Sequence, residues 1–225
     1  MGLQGLLQTV MRSRDFAGLR AGLRRGIPEQ AAIGLVGSQK ASFIAGLYQD
    51  IKHNSDLKKG PLLVITYTAY RAERLYTDLT TFVPKQDLFF FPPQEVFVYE
   101  EVIGNVDILR ERLLSYKALV ERNTPILVMP IQALAEELIP PDVFFSASFT
   151  IDTETRVNLE SLATQLVVMG YQRVDMVESP THFSIRGGIV DIYPLTEENP
   201  VRIELFDDEV DSIRQFDPKT QRSTK

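Results

Sequence analysis

Cysteine is missing from this chain, so neither a disulfide nor a thiolate metal site can form. Histidine is scarce: His53 and His182 lie far apart and form no ligand-spaced cluster, so both read as surface residues. No apolar run approaches the roughly 20 residues that a membrane-spanning helix needs. The opening MGLQGLLQTVMRSRDF turns polar too early for a secretory h-region. Leu6 occupies the place where an N-myristoylation signal carries Ser or Thr. A cytoplasmic location is the resulting expectation. A basic excess is also lacking. Residues 1–145 carry 16 Lys/Arg against 16 Asp/Glu, whereas residues 146–225 carry 8 against 14, which supplies the whole net charge of −6. That balance argues against a module that grips phosphate backbones by charge alone. It suits a basic or mixed-charge protein partner for the second half.

What is present is enough apolar material for a sizeable core, 44% of 225 residues, in a chain long enough for one large or two small domains. Leu3 to about Arg25 reads as one amphipathic helix, ended by Gly26-Ile27-Pro28. Ala31 to Val36 reads as a short buried strand, followed by the loop Gly37-Ser38-Gln39 and a helix from Ala41 to Ile51. Pro61–Tyr67 (PLLVITY), Leu88–Phe91 and Ile126–Met129 (ILVM) read as further strands. They alternate with helices at Ala69–Phe82, Asn105–Glu121 and Ile131–Leu138. Continuous apolar strands alternating with helices predict a parallel sheet covered on both faces. The pattern changes at Pro140-Pro141, giving an expected domain boundary near residue 145, with domains 1–145 and 146–225. Beyond it the spacing predicts a strand at Val143–Ile151, a helix at Leu159–Met169, and then strands only. Those strands are Tyr171–Met176, His182–Ile185, Gly188–Tyr193, Arg202–Phe206 and Val210–Phe216, a small antiparallel α+β unit.

The stretch Gly34-Leu35-Val36-Gly37-Ser38-Gln39-Lys40-Ala41-Ser42 stands between a strand and a helix, where a GxxxxGK[ST] phosphate loop would stand. Gly34 and Lys40 are in register. Gln39 replaces the glycine whose backbone wraps the phosphates, and Ala41 replaces the Ser/Thr whose hydroxyl holds magnesium. Ser42 comes one residue late, about 100° round the helix. No apolar strand here runs into an Asp-Glu pair to hold the metal. The segment therefore reads as a strand-to-helix turn, with Gly37 in the turn and Ser38 as N-cap, or as a weak anion site helped by Lys40. It does not read as a hydrolytic site, and neither cofactor nor metal is expected. Glu100-Glu101 reads as a solvated loop, and Tyr67, Tyr70 and Tyr76 lack the interleaved basic residues of a nucleic-acid platform.

The most distinctive text is GYQRVDMVESPTHFSIRGGIVDIYPL at 170–195, followed by NPVRIELFDDEVDSIRQFDPKTQRS at 199–223. Taken as one strand, residues 186–191 alternate, with Arg186, Gly188 and Val190 on one face and Gly187, Ile189 and Asp191 on the other. Arginines and aromatics on an exposed sheet face are frequent protein-contact anchors, and they serve equally to neutralise an acidic turn such as Asp207-Asp208-Glu209. These strings resemble the UvrB-homology region of the bacterial transcription-repair coupling factors and, more distantly, UvrB itself. The likeness runs from about Gly34 to Arg222. The resemblance implies a degenerate RecA/P-loop-like helicase domain followed by the α+β domain that docks UvrA. It implies RNA polymerase and double-stranded DNA as partners of regions beyond Lys225, and leaves room for masking of the docking face by another domain. Carried over residue by residue, Arg173, Arg186 and Glu204 match polar contacts of the UvrA-binding face. Phe183 and Tyr193 are added to that patch, and Ser184 stands where UvrB has an arginine. The stretch from Phe91-Pro92-Pro93 to Asn105-Val106-Asp107 is short and holds one tyrosine, Tyr99, where UvrB has a long Tyr-rich hairpin. The expectation is a non-catalytic module that recruits UvrA to stalled polymerase. The alternative is a nucleotide-dependent DNA-remodelling subunit with residual ATP binding.

Overall fold

The computed structural model describes residues 3–54, 57, 59–94, 106–121 and 125–224, and within it the chain divides into two units, Met1–Glu137 and Leu138–Lys225. Among the described residues no helix is long and apolar enough to cross a membrane. Tyr99 and Glu100-Glu101 lie outside the described residues, as does most of the short segment between Phe91 and Asp107.

In the first unit the expected single N-terminal helix is two, α1 (Leu3–Met11) and α2 (Arg14–Arg24). Ser13 interrupts them: its backbone is extended, and its hydroxyl accepts from the Phe16 N–H at 3.2 Å. The helices α3 (Gln39–His53), α4 (Ala69–Leu79), α5 (Val106–Val120) and α6 (Ile131–Leu134) follow. They alternate with strands β1 (Leu62–Thr66), β2 (Leu88–Phe90) and β3 (Ile126–Pro130). The strands form a parallel sheet in the order β1-β3-β2, with Val64 and Phe90 both opposite Val128. Ile126, Val128 and Leu88 turn one face onto α1, α3 and α4 through Leu7, Ala41, Ala45, Tyr48, Ala72 and Leu79. Leu127 and Met129 turn the other face onto Ala133, Phe91 and Leu119. Each buried Leu, Ile or Val side chain contributes on the order of 1.5–3 kcal/mol.

Two expectations for this unit are corrected. Ala31–Val36 is not a strand; Ile33 is 93% and Val36 73% exposed. An apolar run becomes a strand only where a ladder partner lies beside it, and none does here among the described residues. The sheet is covered on both faces at β3 but not throughout, because Leu63 and Ile65 of β1 face outward, each 44% exposed.

In the second unit the expected strand at 143–151 does not form: its first part belongs to a helix, α7 (Pro141–Ser146), and residues 147–151 are irregular. Pro141 sits in its first turn, where the fixed φ and missing N–H of proline favour helix initiation. Helix α8 (Leu159–Val168) starts at Asn158, whose side chain accepts from the Ser161 N–H at 2.9 Å. A five-stranded sheet follows, made of β4 (Gln172–Arg173), β5 (His182–Arg186), β6 (Ile189–Ile192), β7 (Val201–Phe206) and β8 (Glu209–Gln215), in that order. β5 to β8 are antiparallel, but β4 pairs parallel with β5, so the sheet is mixed. Its inner face puts Phe183, Val190, Ile192, Ile203 and Val210 against Leu162 and Leu166 of α8.

Candidate protein-docking face

β5 and β6 are one hairpin. Gly187-Gly188 forms a two-residue turn, and Gly187 has a φ of +60°, a left-handed backbone that glycine adopts without a Cβ clash. At Gly188 a Cβ would stand 2.8 Å from the Leu205 carbonyl oxygen, so β7 approaches closer there than a side chain permits. The turn overturns the single-strand alternation expected for 186–191. Arg186 pairs with Ile189 and Ser184 with Asp191, which puts Arg186, Ile189 and Asp191 on one face.

The outer face of the sheet follows from the register. One cross-strand row runs Ser184, Asp191, Arg202, Arg214; the next runs Arg186, Ile189, Glu204, Ser212. Asp191 is 1% exposed. Its Oδ1 accepts from Arg202 Nε at 2.7 Å, and its Oδ2 accepts from Arg202 Nη2 at 2.9 Å and from Arg186 Nη2 at 2.8 Å. Arg202 lies over the Phe216 ring, 4.8 Å from its centroid. The hydrogen bonds to Asp191 hold its guanidinium pKa above the usual arginine value. Glu204 accepts from the Ser212 hydroxyl at 3.0 Å and lies 3.8 Å from Arg214.

The sequence candidates fall in different places. Arg173 and Arg186 are exposed and line one open concavity of about 400 Å³ with Val174, Asp175, Ser184 and Ile185. Glu204 is half-buried in the row that contains Arg186, two strands away. Tyr193 is half-buried, and its hydroxyl donates to the Glu198 carbonyl at 2.9 Å. Phe183 does not belong to this patch: it is 0% exposed and packs in the core. Its pairing opposite Ile192 puts it on the inner face, where it cannot reach a partner while the unit stays folded. His182 is half-buried rather than a surface residue. Asp191 and Arg202 were not singled out by sequence, because eleven residues separate them and only the register joins them. Ile189 and Phe206, 38% and 80% exposed, lie at the same end of the sheet.

The loop at 34–42 is built as a structural corner. Gly34 and Gly37 both take left-handed backbone, with φ of +85° and +52°. The Gln39 side chain folds back, and its Oε1 accepts from the Val36 N–H at 3.0 Å, which engages a loop donor that would otherwise point outward. Ala41 is fully buried in the first unit's core, and the Ser42 hydroxyl donates to the Gln39 carbonyl at 3.0 Å. Ser38 makes no side-chain cap hydrogen bond, so the N-cap expected of it is not formed. Lys40 is exposed.

Residues 149–225 match the family model of the UvrB interaction domain. The chain is 38% identical over 218 residues to the transcription-repair-coupling factor of Bacillus subtilis strain 168, an overlap that takes in 96% of this chain and 18% of that protein. It is 35% identical over 190 residues to the factor of the same name from Staphylococcus aureus strain USA300, and 36% identical to that of strain MRSA252. Both Staphylococcus overlaps cover 84% of this chain and 16% of the relative. The chain thus spans less than a fifth of the length of these relatives.

Proposed function

With residues 149–225 matching the UvrB interaction domain and nearly the whole chain related to one segment of the transcription-repair coupling factors, we propose that this protein is a non-catalytic docking module that recruits UvrA in transcription-coupled DNA repair. One observation carries this reading. The outer face of the second sheet presents Arg186 and Glu204 in one cross-strand row, and exposed Arg173, which its register opposite Phe183 puts on the other side of β4, lines an edge concavity together with Arg186. Charged side chains held at fixed spacing on rigid strands suit a specific protein contact better than a catalytic centre. RNA polymerase and double-stranded DNA would be engaged by other parts of the full-length protein.

The loop at 34–42 supports the non-catalytic side. Gln39 occupies the Val36 N–H, and Ala41 supplies core packing where a magnesium ligand would stand. Nucleotide binding is tested by thermal shift with ATP and magnesium: a magnesium-dependent rise in Tm would favour the remodelling-subunit reading, since a ligand that binds the native state stabilises it. The docking reading is tested by calorimetry of the 225-residue chain with UvrA. Truncating one buried charged contact costs about 2–5 kcal/mol. Arg173→Ala combined with Arg186→Ala is therefore expected to weaken binding by at least about thirtyfold, and unchanged affinity would refute this face.

A further inference from the structure

We infer that Asp191 is a positioning residue for docking: it holds the exposed Arg186 guanidinium in the orientation in which it receives a carboxylate of the partner. The inference rests on the docking role proposed above for this face.

Asp191 has more cation than burial requires. A carboxylate that is 1% exposed must be paired, and Arg202 alone accomplishes that, with two hydrogen bonds at 2.7 and 2.9 Å to its two oxygens. Arg202 itself is largely sheltered, its side chain 18% exposed and stacked on Phe216. The second guanidinium differs. Arg186 reaches Asp191 Oδ2 through Nη2 alone, at 2.8 Å, while its side chain stays 54% exposed. One branch of a planar fork is tied down, and the half-exposed remainder of the guanidinium keeps further donors for a partner.

The position is also selected by the backbone. Arg186 is the last residue of β5, and the Gly187-Gly188 turn brings β6 back so that Asp191 lies on the same face, one row away. The neighbouring residue in the Asp191 row is Ser184, 2% exposed, whose hydroxyl contacts the Asp175 carbonyl at 3.4 Å. Ser184 offers no competing charge. Arg186 then borders the concavity that it shares with Arg173, Asp175 and Ser184. Asp191, Arg202 and Arg186 together carry one net positive charge, so the arm is locally cationic even though a carboxylate holds it. Its complement is an acidic side chain on the partner. An exposed arginine free to sample its rotamers must lose that freedom on binding; one already tethered has lost much of it beforehand.

The test uses the 225-residue chain and UvrA in a double-mutant cycle by calorimetry, with Arg186→Ala, Asp191→Asn and the double variant. The Arg186→Ala affinity is expected to fall, and Asp191→Asn to fall by about tenfold, roughly the value of one charge-assisted hydrogen bond. The double variant is expected to match Arg186→Ala within about twofold, because Asp191 acts through Arg186. Losses that simply multiply would overturn the inference and assign Asp191 a role in the fold only. A parent-like affinity of Asp191→Asn beside a weakened Arg186→Ala would overturn it while leaving the docking face standing. An unchanged Arg186→Ala would remove both. Arg186→Lys needs no change at the buried carboxylate, so it covers the case in which Asp191→Asn does not fold. Lysine keeps the charge but cannot bridge Asp191 and a partner with a planar fork. It is expected to bind like Arg186→Ala, and parent-like binding would overturn the inference.

Discussion

Phe183→Ala is expected to destabilise the second unit outright rather than to remove a docking contact. The ring is 0% exposed and sits in a core with Leu162, Leu166, Val190 and Ile192. Truncating a buried phenylalanine loses both its transfer free energy and the packing around the cavity it leaves, typically about 3–5 kcal/mol. A domain's whole stability is about 5–15 kcal/mol, so the change removes a large fraction of it. With a urea m-value of roughly 2 kcal/mol per molar for a unit of this size, the midpoint of unfolding moves down by about 2 M. The chain contains no tryptophan, so the assay is far-UV circular dichroism together with the NMR amide signals of β5, β6 and β7. Phe183→Leu keeps most of the apolar volume and is expected to cost about 1–2 kcal/mol. A midpoint shift below about 0.5 M, together with weakened UvrA binding, would show that the ring contacts the partner and that the inner-face assignment is wrong.

Gly188→Ala is expected to cost about 1–3 kcal/mol, because the new Cβ meets the Leu205 carbonyl oxygen at 2.8 Å and must push β7 away. The Leu205 amide, which donates to the Gly188 carbonyl at 2.8 Å, should then exchange with deuterium at least about five times faster. Ala41→Thr, which restores the residue type of a phosphate loop, is expected to lower the unfolding free energy by about 1–3 kcal/mol without creating nucleotide binding. The side chain at 41 is fully buried in the core, and urea unfolding with and without ATP checks both halves of the statement. The Asp217 carboxyl accepts from the backbone N–H groups of Thr220 at 3.0 Å and Lys219 at 2.8 Å, which hold its pKa below the ordinary 3.8. Its folded value is the lower one, so its stabilisation is present above pH 3.8 and is lost as pH falls through the folded value. An NMR carboxyl titration should therefore place Asp217 below 3.8. The stability difference between parent and Asp217→Ala should shrink only on that acid limb.

The elements that sequence reading found are those whose apolar pattern and pairing partner are both present. PLLVITY and ILVM are strongly apolar, and they form β1 and β3, paired in parallel with Leu62 opposite Ile126. The apolar run 31–36 has the same texture without a described neighbour and stays irregular. At 143–151 the apolar residues fit either period, and Pro141 decided for helix at the end that sequence had assigned to strand. The break at Ser13 was hidden because the apolar spacing carries on across it, although Ser followed three residues later by Phe16 is an ordinary capping arrangement. Arg186-Gly187-Gly188-Ile189 carried a readable hairpin signal, and treating it as continuous strand placed Asp191 on the wrong side from Arg186. Phe183 carries a similar signal. Its apolar neighbour two residues on, Ile185, already marked the inner face. The Asp191–Arg202 pair depends on the β6–β7 register, which no short-range pattern specifies.

Net charge and the charge on the outer rows point to contacts of opposite sign. Residues 146–225 are acidic as a whole, which by itself points to a basic partner. The register distributes that charge unevenly. The two outer rows hold Arg186, Arg202 and Arg214 against Asp191 and Glu204, one net positive charge, and at the concavity Arg173 is balanced by Asp175. Many of the acids are elsewhere: Asp207, Asp208 and Glu209 lie at the β7–β8 turn, where Arg156 pairs with Asp208 and Glu209 at 3.4 and 2.6 Å. Asp152 and Asp217 are engaged with backbone N–H groups of their own turns. Charges more than a Debye length apart, about 10 Å at 0.1 M salt, act independently. A partner docked on the rows therefore meets a cationic surface on an acidic domain. The one buried carboxylate there, Asp191, keeps two of those arginines in place while leaving the face one charge positive around it.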